Sequence, residues 1–245
     1  MNQIETPKRA DRQQSRMNLK KLQEKLNVQF RDLGLLEEAL THRSYLNENP
    51  NWPRGNNERL EFLGDAVMEL VVTEELFRRF PGREEGKLTV LRAALVNTKA
   101  LVEVAKKLGL DKALLLSHGE AKDAIGKGRD GISANAVEAV IGAIYIDQGY
   151  DAAKEFIHEF VIPKLHEVIK KGAKDAKSLV QEHAQAVFKI TPRYEVIEES
   201  GPAHDRYFKI GLFFGGELKA EGTGTSKQEA ELNAAEKLLE AQNHK

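Results

Sequence analysis

The sequence contains no cysteine, which excludes disulfides, zinc–thiolate centres and thiol catalysis. It also lacks any run approaching the roughly 20 apolar residues of a membrane span. Residues 1–16, MNQIETPKRADRQQSR, carry no apolar core of the kind a secretory leader needs. These absences predict a soluble cytoplasmic protein with no membrane partner. A global charge excess is missing too, since 37 Lys and Arg against 38 Asp and Glu leave a net charge of −1. Any nucleic-acid partner must therefore be met by local basic surface. With 245 residues, the chain has room for one large or two modest domains.

What is present is an unusual placement of acids. Residues 56–72, NNERLEFLGDAVMELVV, are free of proline and rich in helix formers, so they predict a helix. At about 100° per residue, Glu58, Glu61 and Asp65 share one stripe, because spacings of three and seven return to nearly the same face. Leu60, Leu63, Val67, Leu70 and Val71 form an apolar face. Phe62, Met68 and Val72 add apolar bulk on either side of the acids. A helix apolar nearly all round is a buried helix, so the acids are expected to line an interior cleft, where like charges need a cation or a shared proton. In a second helix, ANAVEAVIGAIYI over 134–146, the polar side chains are Asn135 and Glu138, three apart, apart from a tyrosine hydroxyl. An ionised glutamate there costs several kcal/mol unless paired. Two readings stay open: a buried salt bridge, or two helices facing each other across hard divalent cations held by oxygen ligands.

The rest of the chain organises around these helices. Residues 1–16 hold Lys8, Arg9, Arg12 and Arg16 in a polar context and read as a disordered basic arm. Helical periodicity starts near Asn18 with Leu19, Leu22 and Leu26. NENPNWPRGN and FPGREEG read as loops, and KLTVLRAALVNTKALVEVAKKLGL as one or two helices ending at Gly109. SHGEAKDAIGKGRDG reads as a surface loop and DAAKEFIHEFVIPKLHEVIKK as a final helix. The lysine-rich stretch 170–176 reads as a linker between a domain over 17–169 and a second over 177–243. The second domain predicts a helix over 176–188, strands over 193–199, 206–214 and 217–222, and a helix over 226–242. Phe208, Ile210, Leu212 and Phe214 form the apolar side of its middle strand. The fold class is therefore multidomain, all-α followed by a small α+β unit of order α-β-β-β-α.

At NERLEFLGDAV the chain resembles the ribonuclease III family. The match extends through ALTHRSYLNE, FPGREEGKLTVLRAALVN and ISANAVEAVIGAIYIDQG. The C-terminal unit resembles a double-stranded RNA-binding domain, through LVQEHAQ, GPAHDRYF and GTGTSKQEAELNAAEKLL. The resemblance implies a homodimeric, Mg²⁺-dependent endoribonuclease, with Mn²⁺ as a substitute. Such an enzyme uses metal-activated water to cut both strands of duplex RNA and leaves 5′-phosphates, 3′-hydroxyls and short 3′ overhangs. Precursors of ribosomal RNA and some messenger RNAs are the substrates it implies. By position, Glu61, Asp65, Asn135 and Glu138 correspond to the metal-binding set. Glu58 is a further acid of the signature helix, Glu85 a further acid of the catalytic valley, and Phe62 the aromatic of the dimer seam. The family's best-known members carry aspartate where this chain has Asn135.

The same resemblance places RNA contacts at Gln181 and Glu182 on the first helix, Pro202 and His204 in the first strand turn, and Ser226 and Lys227 at the last helix start. Duplex RNA is recognised through shape, 2′-hydroxyls and phosphates. Residues 175–245 hold nine Lys and Arg against twelve Asp and Glu, so RNA binding is expected to be modest and salt-dependent. Two rivals remain at this point. A di-iron carboxylate bundle needs two Glu-x-x-His pairs, and the chain has one, Glu155 with His158. A duplex-RNA-binding protein with a degenerate nuclease domain is favoured by Asn135.

Overall fold

The computed structural model describes residues 9–122, 127–202 and 206–243. Its contacts divide the chain between Lys164 and Leu165. The first unit contains α1 (Arg9–Leu26), α2 (Leu33–Ala39), α3 (Arg43–Glu48), α4 (Glu58–Arg79), α5 (Glu85–Val96), α6 (Thr98–Leu108), α7 (Leu110–Ala113), α8 (His118–Lys122), α9 (Lys127–Gln148) and α10 (Tyr150–Phe160). Among its described residues the one strand-like feature is an isolated parallel bridge between Thr41 and Leu115. The unit is all-α, as the periodicity predicts.

Helix α9 is the axis of this unit and packs against α2, α4, α6, α7 and α10. Ala136, Val137, Ala139, Val140, Ile141, Ala143 and Ile144 are completely shielded from solvent. Each buried Val or Ile contributes about 1.5–3 kcal/mol of transfer free energy. The alanines serve a different end, since small side chains let neighbouring helices come close. The closest approach is between α4 and α9, which cross in backbone contact. A Cβ added at Gly64 would lie 1.7 Å from the Glu138 carbonyl oxygen, and one at Gly142 would lie 2.2 Å from the Leu60 carbonyl oxygen. Neither position has room for a methyl group.

Several segments differ from the sequence reading. The basic arm is helical from Arg9 onward, as part of α1, because RADRQQSR is a run of adequate helix formers without Gly or Pro; residues 1–8 lie outside the described residues. The expected surface loop contains α8 and the start of α9. Gly128 and Gly131 are helical there, each at a cost of about 1 kcal/mol that the packing of later turns outweighs. The expected last helix is broken between Phe160 and Lys164, where Pro163 has no N–H to donate. Stretch 170–176, expected as a linker, lies inside α11 (Lys164–His183). Leu165, Ile169, Ala173, Ala176 and Val180 are buried at helical spacing, a periodicity that the intervening lysines obscure.

In the second unit α11 runs into a π-helical turn, Ala184–Phe188, followed by β1 (Pro192–Ser200), β2 (Tyr207–Phe214), β3 (Glu217–Gly224) and α12 (Lys227–Asn243). The sheet is antiparallel in the order β1-β2-β3. Phe208, Ile210, Leu212 and Phe214 are buried while Tyr207 is exposed, as the period-two reading requires. Helix α12 lies directly on β3, since a Cβ at Gly222 would sit 2.1 Å from the Ala230 carbonyl oxygen.

Substituting Gly64→Ala forces α4 and α9 apart, because the colliding atom is backbone and cannot rotate away. Overpacking of this kind costs about 1–3 kcal/mol or more. Thermal denaturation should therefore show a melting temperature lower by several degrees, whereas Gly82→Ala, with nothing within 4 Å of the added carbon, should leave it near the wild-type value.

Candidate active site

The Gly64–Gly142 crossing determines which side chains meet. With the Glu138 backbone lying under Gly64, the Glu138 side chain emerges beside the stripe of Glu61 and Asp65. The consequence is electrostatic. The Glu138 carboxyl is pushed from its ordinary 4.5 up to about 7, first by burial and then by the charges of Asp65 and Glu61. Glu61 is also raised by burial, and Glu58 and Asp65 push the same way, while a hydrogen bond with Asn135 partly offsets them. An ionised carboxylate only accepts, so the Asn135 amide donates to Glu61 and its carbonyl oxygen stays available.

Glu58, one turn from Glu61, is exposed; it accepts from Asn56 Nδ2 at 3.1 Å and faces the Arg43 guanidinium at 3.6 Å. Asp65 is exposed and Glu138 only half-buried. The expected interior cleft is therefore a site open along one side. The reason is that α4 is not enclosed all round: Phe62 is 81% exposed, and Leu70, placed with the core from sequence, is exposed as well. Phe62, Ala66, Leu70, Thr73 and Phe77 form an outward apolar stripe.

Glu61, Asp65, Asn135 and Glu138 are brought together, with Glu58 at their edge. Glu85 is not. It opens α5, where its carboxylate accepts from the Thr89 hydroxyl at 3.0 Å. At 1.5 Å rise per residue, the end of α4 that leads to it lies roughly 20 Å from Asp65. Among the described residues no three Asp, Glu or His side chains stand close enough to enclose an ion by themselves. The donor set nevertheless suits a hard cation that retains several waters, because every donor is oxygen and the charges acting on Glu61 and Glu138 are uncompensated carboxylates. The di-iron alternative fails on geometry: Glu155 is exposed and His158 faces Glu75 at 4.0 Å.

In the second unit Gln181 and Glu182 lie exposed on α11, on a face shared with Ser178, Gln185 and Lys189. The π turn begins two residues beyond Glu182. Pro202 is exposed, and His204 lies outside the described residues. Ser226 accepts from the Glu229 N–H at 3.2 Å and so caps α12; Lys227 is exposed, its ammonium 5.6 Å from the Phe208 ring centre. Sequence reasoning missed Glu229 as a structural group. It is 3% exposed and accepts from Thr225 N at 2.9 Å and Thr225 Oγ1 at 2.8 Å. The Ser-x-x-Glu spacing of a capping box was the signal for it. Its carboxylate already occupies the positive end of α12, which lowers the pull of that end on a phosphate.

A family model described as Ribonuclease-III-like matches residues 32–165, and one described as Double-stranded RNA binding motif matches residues 176–242. The chain is 42% identical to the Ribonuclease 3 of Bacillus licheniformis, over 90% of this chain and 88% of that protein. It is likewise 42% identical to the Ribonuclease 3 of Dehalococcoides mccartyi, over 91% of this chain and 94% of the other. The solved nuclease domain of a ribonuclease III from Campylobacter jejuni is 41% identical and superposes with a TM-score of 0.53, covering 58% of this chain and 95% of that one. Relatedness at this level, sustained through both domain types in one order, leaves a single assignment: the chain belongs to the ribonuclease III family.

Proposed function

We propose that the chain is an endoribonuclease that hydrolyses both strands of double-stranded RNA and leaves 5′-phosphate and 3′-hydroxyl ends with short 3′ overhangs. Precursors of ribosomal RNA and some messenger RNAs are its natural substrates. The observation that carries this reading is the pair Glu61 and Glu138, both raised by burial and by neighbouring carboxylates and held across α4 and α9 with Asp65 and Asn135. The family depends on divalent metal, and Mg²⁺, replaceable by Mn²⁺, is the ion proposed here. When bound, such an ion shields the phosphodiester charge and makes water more acidic. Glu61, Asp65, Asn135 and Glu138 hold it, with Glu58 at the edge. The second unit supplies the grip on the duplex through Gln181, Glu182, Pro202, His204, Ser226 and Lys227. The domain limits proposed from sequence, 17–169 and 177–243, frame these two roles.

The protein acts as a homodimer. The exposed stripe of Phe62, Ala66, Leu70, Thr73 and Phe77 is too apolar to remain in water, and a two-fold pairing of copies along it is self-complementary. The Campylobacter jejuni nuclease domain has a region involved in dimer formation. Antiparallel pairing of α4 helices brings the α5 start of one copy toward the acid end of the other, which gives Glu85 a place in the valley.

Incubating the protein with a long RNA duplex, with Mg²⁺ and with chelator, tests the activity. Metal-dependent shortening to duplexes with 5′-phosphates is expected, and binding without cutting across Mg²⁺ and Mn²⁺ would defeat the proposal. In the same assay Asn135→Asp adds a negative oxygen donor and should lower the Mg²⁺ needed for half-maximal rate. An unchanged requirement removes residue 135 from the ligand set.

The proton affinity of Glu138 gives a second test. Its folded pKa of about 7 exceeds the ordinary 4.5, so the folded state binds more protons than the unfolded chain between these values. Its contribution to stability is therefore full below about pH 4.5 and is lost as pH rises through about 7. In chelator, Glu138→Gln should melt above wild type at pH 8 and close to it at pH 5, while cutting falls at least roughly 100-fold. No gain at pH 8 would contradict the penalty that burial and neighbouring carboxylates place on ionised Glu138. For the dimer, Leu70→Asp with Phe77→Asp should sediment as a folded monomer at micromolar concentration, and persistence of the dimer would place the interface elsewhere.

A further inference from the structure

We propose that Arg43 is a substrate-binding residue, held in the free protein on Glu58 and transferred to an RNA phosphate beside the scissile one when the duplex enters. The inference rests on the reading of the α4–α9 cluster as the cutting site. The charges that dominate Glu61 and Glu138 are all carboxylates, so the cluster by itself repels the polyanion it must receive. Bound metal offsets that repulsion at the cut, and the flanking phosphates need cations of their own. Arg43 stands where one is required. Its guanidinium lies 3.6 Å from Glu58, at the end of the acid stripe, roughly 10 Å along the helix from Asp65 by the rise per residue.

Its backbone is firmly placed although its side chain is free to move. Asn57, which precedes α4, donates its N–H to the Thr41 carbonyl at 2.9 Å and its side-chain amide to the Ala39 carbonyl at 3.3 Å. His42 donates its N–H to the Leu115 carbonyl at 3.0 Å, and its ring shares a 2.8 Å hydrogen bond with the Ser44 hydroxyl. These bonds fix the start of α3 against the start of α4. The Arg43 side chain itself is 72% exposed and that of Glu58 52%. An ion pair this wet costs little to break. A planar guanidinium exchanges a carboxylate for a phosphate without loss of geometry, because both offer paired oxygens to its fork.

Cleavage of a defined duplex by the full-length protein, in Mg²⁺ and over a range of KCl, tests this with Arg43→Ala and Arg43→Lys. For Arg43→Ala, KM should rise roughly fivefold to tenfold, and the slope of log binding against log salt should become shallower by about one. Its kcat should stay within about twofold of wild type. Arg43→Lys should recover most of the affinity and the whole salt slope, since it retains the charge. Both variants should melt with wild type, as loss of an exposed pair predicts. An unchanged KM and slope in Arg43→Ala overturns the proposal. So does a loss confined to kcat or to the Mg²⁺ requirement, which would make Arg43 a partner of Glu58 and nothing more. A wild-type protein that fails to cut would instead refute the nuclease reading.

Discussion

The backbone contact between α4 and α9 is the constraint on which the first unit depends. Two helices meet this closely only where neither has a side chain in the way, and Gly64 and Gly142 provide that gap from both sides. The gain is proximity: Glu61 and Asp65 on one helix and Asn135 and Glu138 on the other act on one another because the axes are so near. A methyl group at either glycine would separate the helices and the carboxylates together. Packing and site are thus the same feature.

The arrangement is electrostatically unfavourable in the free protein. Glu138 is raised to about 7, and the burial and repulsion behind that value destabilise the fold at neutral pH. Such a cost is what the proposed metal-binding role of these acids would require. Asn135 moderates it by donating a hydrogen bond to Glu61 where an aspartate would add charge. The aliphatic side of α9 supplies the surplus that tolerates the strain.

The second unit solves a different problem with few cations. Its sheet and α12 are joined at Gly222, and of its proposed RNA contacts Gln181, Glu182 and Lys227 are exposed polar or charged side chains. Glu229 uses its charge to fix the loop before α12, so rigidity there takes precedence over attraction. Recognition of this kind relies on shape and hydroxyl contacts.

Much of this was legible in the residues alone. Period 3.6 in 56–72 and 134–146 and period two in 207–214 predicted elements that the structure contains, because local periodicity reports which face is buried. The spacing of Glu58, Glu61 and Asp65 and the isolation of Glu138 pointed to a cluster that the structure assembles. Linear pattern misled where burial was decided by distant partners. The lysines of 170–176 concealed a helix face, and Leu70 and Phe62 proved to be outward. The sequence by itself determined the elements, the chemistry of the donors and the order of the two units. Only the tertiary structure decided that Gly64 and Gly142 stand face to face, which acids therefore repel one another, and which apolar stripe is left uncovered, since these depend on the distance between helices and not on spacing within one.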